Sequence, residues 1–362
     1  MAETAIRFGI LGCAQVSCKL SKAITQAPNA TLHAISSRSI DKANKFAADN
    51  GLSPFVKIYG SYEAVLDDTD VDAVYIPLPT TLHLKWAVMA AEKRKHVLLE
   101  KPVALNVSDL DRIVEACEAN GVQFMDGTMW MHHPRMPKMK QLLSDTHRFG
   151  QLKSIHSCIT YNAGPDFMNN SIKVKPDLDA LGALGDIGWY CIRAILWAVD
   201  YELPKKVVAL HGTVCNEAGV ILSCGSSLHW EDGKVATFYC SFLTYITFDI
   251  KALGTKGSLS LNDFVQPFLE NYGTFSEASE LDYMKIEPGK WAPTPNEHVV
   301  SNEFPQEVLM VKEFADLVEK VKGKLGLKPE KAWPILSRKT QLVLDAVKES
   351  IERGYEPVEI VP

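Results

Sequence analysis

Ala5-Ile6-Arg7-Phe8-Gly9-Ile10-Leu11-Gly12-Cys13-Ala14-Gln15-Val16-Ser17 is the stretch that decides the fold. Residues 5–11 are a short apolar run, read as a buried strand. Gly12 makes a turn, and a helix opens near Gln15 and stops before Pro28. The alternation continues downstream. Residues 31–36 read as a strand, and a helix runs from Asp41 to the Asn50-Gly51 stop. Residues 72–76 are a strand, 80–94 a helix and 96–99 a strand. Ser108 with Asp111 reads as an N-cap and acidic first turn. The helix they open carries Leu110, Ile113, Val114 and Cys117 on one face and ends at Asn120-Gly121. Residues 122–125 are again a strand. Strands alternating with helices predict βαβ units and a doubly wound parallel α/β sheet, a Rossmann-type domain over residues 1–128.

After residue 128 the pattern changes. A helix is expected at 135–145 and another at 185–199. Segments 152–161, 206–214, 219–230, 234–243 and 247–253 have strand character, and 307–321 and 337–351 read as closing helices. Residues 288–295, with three prolines and a glycine, read as a loop. Residues 129–362 are therefore expected to form an α+β domain with a large, mostly antiparallel, open-faced sheet. Such a sheet would pair with a second copy to cover an apolar face, so a homodimer is expected.

The chain has 362 residues, which favours two domains. It is 46% hydrophobic and 23% charged, with a formal net charge of -6. This acidic balance argues against nucleic acid or an anionic membrane as partner and favours a small molecule. No run of 18 apolar residues occurs. The first strand begins almost at once, so no leader is expected, and the cytoplasm is the expected compartment. The eight cysteines show neither CxxC pairs nor zinc spacing and read as reduced thiols. His83 and the pair His132-His133 lack carboxylates or thiols at metal spacing, so no metal is expected.

The first turn departs from the dinucleotide fingerprint G-x-G-x-x-G. Gly12 keeps the first glycine, while Ala14 and Ser17 replace the other two. Alone, Gly12-Cys13-Ala14 reads equally as a plain βα turn. Its place on the first strand of a βαβ run favours phosphate binding at a helix N-terminus. The end of the second strand is more informative. A carboxylate there usually holds a ribose 2′-hydroxyl. This chain has Ser36-Ser37-Arg38 instead. An arginine fork pairs with a 2′-phosphate and Ser37 adds a hydroxyl, which favours NADP(H) over NAD(H).

Two further motifs follow. Glu100-Lys101-Pro102 comes after the strand 96–99, at the strand end where doubly wound folds bind ligands. Asp186 and Tyr190 stand four apart, on one face of an expected helix. With Tyr75-Ile76-Pro77-Leu78-Pro79-Thr80-Thr81-Leu82-His83 and Gly185–Tyr190, these segments resemble the glucose-fructose oxidoreductase / inositol dehydrogenase (Gfo/Idh/MocA) family, nearest its dimeric dihydrodiol dehydrogenase branch. The resemblance covers nearly the whole chain. It implies that Lys101 lies beside the nicotinamide and the reacting hydroxyl. It implies that Tyr75, Pro77 and His83 line the cofactor crevice and that Glu100 lies near the nicotinamide ribose. Asp186 matches the family's active-site aspartate.

Many members carry histidine where Tyr190 stands, which argues against a simple inositol dehydrogenase. A free tyrosine titrates near pH 10. A nearby Lys101 ammonium and a cationic nicotinamide would lower that value. Tyr190 is thus one reading of the proton donor and acceptor, and Lys101 the other. Trp130 and Trp189 are expected to shape the pocket. A hydride transfer to or from a CH–OH group of a sugar, polyol or cyclic trans-diol is expected. An NAD-dependent glycosidase and a non-catalytic cofactor sensor are the rivals on the same scaffold.

Overall fold

A computed structural model describes residues 5–279, 294–323 and 326–361. The chain packs into two compact units, Met1–Met129 with Pro305–Arg338 and Trp130–Phe304 with Lys339–Pro362. The expected division at 128/129 treated the chain as two consecutive segments. Packing returns 305–338 to the first unit. The helix Gln306–Lys322 sets Phe314 against Phe8 with ring centroids 5.9 Å apart, and Lys19 pairs with Glu307 at 2.6 Å.

The first unit holds six strands: β1 Ile6–Leu11, β2 Ala30–Ser36, β3 Lys57–Tyr59, β4 Ala73–Ile76, β5 His96–Leu99 and β6 Phe124–Asp126. Their order is β3-β2-β1-β4-β5-β6, and every pairing is parallel. The order reverses direction between β1 and β4, which opens a crevice over their carboxyl ends. The central strands are near-continuous Val, Ile and Leu because helices cover both faces of such a sheet. Strand β3 and the helix Tyr62–Asp67 left no readable pattern, being three and six residues long. The cap expected at Ser108 belongs to Asn106, whose side chain accepts from the Asp109 amide at 2.9 Å. Asn106 is the last extended residue, whereas Ser108 is already helical. That helix ends as expected, with Gly121 at φ 64°.

The second unit holds β7 Leu152–Thr160, β8 Lys206–Ala209, β9 Val214–Cys215, β10 Ile221–His229 and β11 Val235–Ser241. It continues with β12 Thr247–Gly254, β13 Gly257–Leu261, β14 Tyr272–Ser279, β15 Asn296–Ser301 and β16 Val358–Glu359. These form one ten-stranded sheet, β15-β14-β13-β12-β7-β11-β10-β8-β16, with β9 on β10. Among the described residues β7 and β11 pair in parallel and the other neighbours antiparallel. The expected strand 206–214 is broken before Val214, with Gly212 at φ 101°. Residues 288–293 of the expected loop lie outside the described residues.

The helix Trp189–Ala198 packs against β7, β11 and β12. It is buried on every side, and its one charged side chain, Arg193, is enclosed with its Nε donating to Thr340 Oγ1 at 2.7 Å. Ile155, Ile159, Phe238, Cys240 and Ile250 line the buried face of the sheet. The opposite face carries Ser154, His156, Cys158, Thr237, Tyr239 and Lys251. His156 Nδ1 lies 2.9 Å from Thr237 Oγ1 across the strands. Val235 and Leu253, 38% and 40% exposed, flank Ser154 on the same face, so it is mixed in character. Cys224 and Cys240 oppose each other at 3.5 Å between sulfurs and remain thiols, as do the other six cysteines. Burial pushes the Cys117 thiol up to about 12. Among the described residues, no helix is long and apolar enough to cross a membrane.

Arg135 and Asp263 form an enclosed ion pair at 2.6 Å, at 0% and 4% side-chain exposure. Arg135 also donates to the carbonyls of Asp263, Phe264 and Thr274. Removing one partner strands a buried charge, which costs about 3–5 kcal/mol. Arg135→Met should lower the melting temperature by several degrees, and Arg135→Met with Asp263→Leu should recover part of the loss, as read by calorimetry.

Candidate functional site

The turn after β1 explains the incomplete glycine fingerprint. Gly12 has φ 120°, and a Cβ there would lie 3.0 Å from Leu78 Cδ2, so position 12 needs glycine. Ser17 replaces the third glycine with a brace. Its hydroxyl donates to the Gly12 carbonyl at 2.8 Å and accepts from the Ala14 amide at 3.1 Å. The Ser17 amide donates to the Ala14 carbonyl at 3.0 Å, and the helix Gln15–Gln26 starts with Gln15 and Val16 exposed. Cys13 is half-buried, and burial lifts its thiol to about 11, so it stays neutral.

At the end of β2, Ser37 is buried and its hydroxyl accepts from the Ser39 amide at 3.4 Å. Arg38 is exposed. Its positive charge opposes the upward push of burial on the Tyr62 phenol. Tyr62 is fixed by Trp86, edge-on at 4.9 Å. A Cβ on Gly12 would stand 4.0 Å from the Tyr62 hydroxyl. Tyr62 therefore joins the turn of β1 to the corner of β2. Sequence reasoning missed it, since its short helix has no period to detect.

The ends of β4 and β5 are tied together. Tyr75, fully buried, donates to Glu100 Oε1 at 2.5 Å, and the Lys101 amide donates to Glu100 Oε2 at 3.2 Å. Gly127 lies under that carboxylate, since a Cβ there would meet Oε1 at 2.9 Å. Lys101 is half-exposed and precedes a cis peptide bond to Pro102. Pro77 is buried. His83 is 1% exposed, with Nε2 2.8 Å from the Leu78 carbonyl and Nδ1 3.1 Å from the Val103 carbonyl. Carbonyls only accept and a neutral imidazole has one N–H, so the ring donates to one of them and lies between the segment after β4 and the one after β5.

In the second unit the expected single helix at 185–199 begins as a π-helical turn, Leu184–Gly188, and becomes α-helical at Trp189. Asp186 lies in the wider turn and Tyr190 just beyond the junction, so the simple i, i+4 face of an α-helix does not apply. Such bulges recur at functional sites. Tyr190 is 6% exposed. Asp186 Oδ2 accepts from Lys173 Nζ at 2.6 Å and from the Tyr161 hydroxyl at 3.2 Å. Burial, then the Asp186 charge, push the Tyr161 phenol far upward, so Tyr161 stays a neutral donor. Lys173 and Tyr161 carried no sequence signal, because each meets Asp186 only through the fold.

Trp130 and Trp189 do not offer the pocket surface expected of them. Trp130 is 1% exposed, edge-on to Phe264 at 5.5 Å and to Trp197 at 6.4 Å. Trp189 is fully enclosed and lies 5.2 Å from the Arg193 guanidinium. Both are packing residues. His133 is buried as well, and burial holds its imidazole down at about 4. A cluster of His33, Asp68 and Asp70 sits elsewhere, already neutralised by Lys57 at 3.0 and 3.2 Å.

Comparison with known proteins agrees with this geometry. Residues 6–128 match a family described as "Oxidoreductase family, NAD-binding Rossmann fold", and residues 136–260 match "GFO/IDH/MocA C-terminal domain". D-xylose 1-dehydrogenase (NADP(+)) 2 of Haloferax volcanii is 33% identical over 255 residues, 70% of this chain and 75% of that one. Trans-1,2-dihydrobenzene-1,2-diol dehydrogenase of Danio rerio is 26% identical over 71% of this chain and 74% of its own. The fold matches crystalline KijD10, a 3-ketoreductase of Actinomadura kijaniata in complex with NADP and TDP-benzene. Its TM-score is 0.80 at 24% identity, covering 96% of this chain and 98% of that one. With its two domain types in tandem and the xylose dehydrogenase matched over three quarters of its length, the chain belongs to the Gfo/Idh/MocA oxidoreductase family, with an NAD-binding Rossmann domain.

Proposed function

We propose that this protein is an NADP(H)-dependent oxidoreductase that moves a hydride to or from a CH–OH group of a sugar, polyol or cyclic trans-diol. The observation that carries the cofactor choice is the corner after β2. An exposed Arg38 stands where an NAD-binding carboxylate would be. A planar guanidinium and a phenol suit a 2′-phosphate. The Gly12 turn and the N-terminus of the following helix suit the pyrophosphate. Names among the relatives, a xylose dehydrogenase using NADP and a ketoreductase bound to NADP, support the same choice.

The cofactor would supply the hydride acceptor or donor. The chain's part is to manage the proton and the charge on oxygen. Lys101, set at the end of β5 by the Glu100–Tyr75 clasp, is proposed to stabilise the developing alkoxide. Tyr190 is proposed as the group that takes or returns the hydroxyl proton. Asp186 is committed to Lys173 and Tyr161, so its proposed role is to hold that segment rather than to accept the substrate proton. The second unit is proposed to bind substrate, and a homodimer remains a proposal drawn from the family resemblance.

Two measurements test this reading. In calorimetric titration the wild type should bind NADPH more tightly than NADH, and Arg38→Ala should weaken NADPH binding about tenfold while barely changing NADH. Equal affinities in the wild type would remove the 2′-phosphate argument. Lys101→Met and Tyr190→Phe should each lower kcat on a sugar or diol substrate by roughly a hundredfold or more, with NADPH affinity retained. Full activity in both variants would overturn the mechanism.

A further inference from the structure

Lys173 stands in a short turn, Ile172–Val174, whose backbone is held from both sides. The Ser171 hydroxyl accepts from the Lys173 amide at 3.2 Å, and Asn216 Nδ2 donates to the Val174 carbonyl at 2.8 Å. The Lys173 ammonium donates to Asp186 Oδ2 at 2.6 Å. An ammonium has three N–H bonds. Among the described residues Asp186 is the one side chain it meets, and the lysine side chain is 35% exposed. Its remaining donors therefore face outward from a fixed position.

This pair differs from an ordinary surface ion pair in two ways. The carboxylate partner is enclosed, at 8% exposure, and is held a second time by Tyr161. It also lies in the π-helical turn that leads directly into the helix bearing Tyr190. An apolar wall adjoins it. Phe167 packs edge-on to Tyr161 at 5.9 Å and against Phe242 at 5.1 Å, and Tyr161 lies 5.2 Å from Phe242. Tyr161 belongs to both groups. Phe242 is fully buried and backs the other two, so the half-buried Tyr161 and Phe167 rings are the surface beside the donor, which suits a ring-shaped polyol with a hydroxyl edge toward the ammonium and a C–H face toward those rings.

We propose that Lys173 is a specificity-determining residue, donating to a second hydroxyl of the substrate and so selecting diols over isolated alcohols. The inference rests on the oxidoreductase reading above for what reacts, but its binding test does not depend on turnover. A site built to hydrogen-bond an oxygen discriminates strongly against an analogue lacking it, because its donor is then left unpaired.

The test is calorimetric titration of the NADP-loaded protein with trans-cyclohexane-1,2-diol and with cyclohexanol, alongside NADP reduction by each. Wild type should bind the diol at least about tenfold more tightly than cyclohexanol. Lys173→Met should abolish that preference in binding while NADP affinity is retained, and should also lower the melting temperature because it strands the Asp186 carboxylate, whereas Lys173→Arg should restore both the preference and the stability. Lys173→Gln serves the same comparison if the methionine variant does not fold. A preference that survives loss of the lysine, or its absence in wild type, overturns the proposal. A lysine-dependent diol preference without any NADP reduction would instead overturn the oxidoreductase reading and leave the recognition role standing.

Discussion

The close approach of Gly12 to Leu78 is the constraint on which the first unit's rim depends. Leu78 follows β4 and Gly12 follows β1, the two strands between which the sheet order reverses. A side chain at position 12 would push these strand ends apart and fill the crevice they create. The neighbouring residues maintain that approach. Ser17 ties back the turn, His83 braces the segment after β4, and Tyr75 with Glu100 clasps β4 to β5. Lys101 stands at the end of this chain of contacts, its amide on the Glu100 carboxylate.

The second unit solves a different problem. Its sheet buries one face under a fully buried helix, and the same helix has to begin with polar residues usable for chemistry. The π-helical turn meets both needs. It places Asp186 at the start of a core helix, where burial would be costly for an unpaired carboxylate. Lys173 and the Tyr161 hydroxyl neutralise and satisfy it. The same contacts gather the segment 161–174 into a fixed arrangement beside three aromatic rings.

Apparent defects in the motif become intelligible in this light. Ser17 in place of a glycine is a hydrogen-bonding brace. The missing carboxylate after β2 becomes the Arg38–Tyr62 pair. Trp130 and Trp189 show the opposite case: large aromatic side chains near a motif invite a pocket role, yet their rings are spent on the core.

Local pattern determined much of this protein. The βαβ alternation set the parallel sheet, the apolar runs marked its central strands, and Glu100-Lys101-Pro102, Ser37-Arg38 and Gly185–Tyr190 were legible as short motifs because their meaning lies in adjacent residues. Short elements escaped, since β3 and the helix Tyr62–Asp67 have too few residues to show a period. Tertiary structure alone decided the partners. Tyr62 at Arg38, Tyr75 on Glu100, Lys173 on Asp186 and the return of residues 305–338 to the first unit join positions far apart in sequence. Hydrogen bonds and burial act through space, so a single chain read in order records which groups are present and leaves their pairing to the packing of the fold.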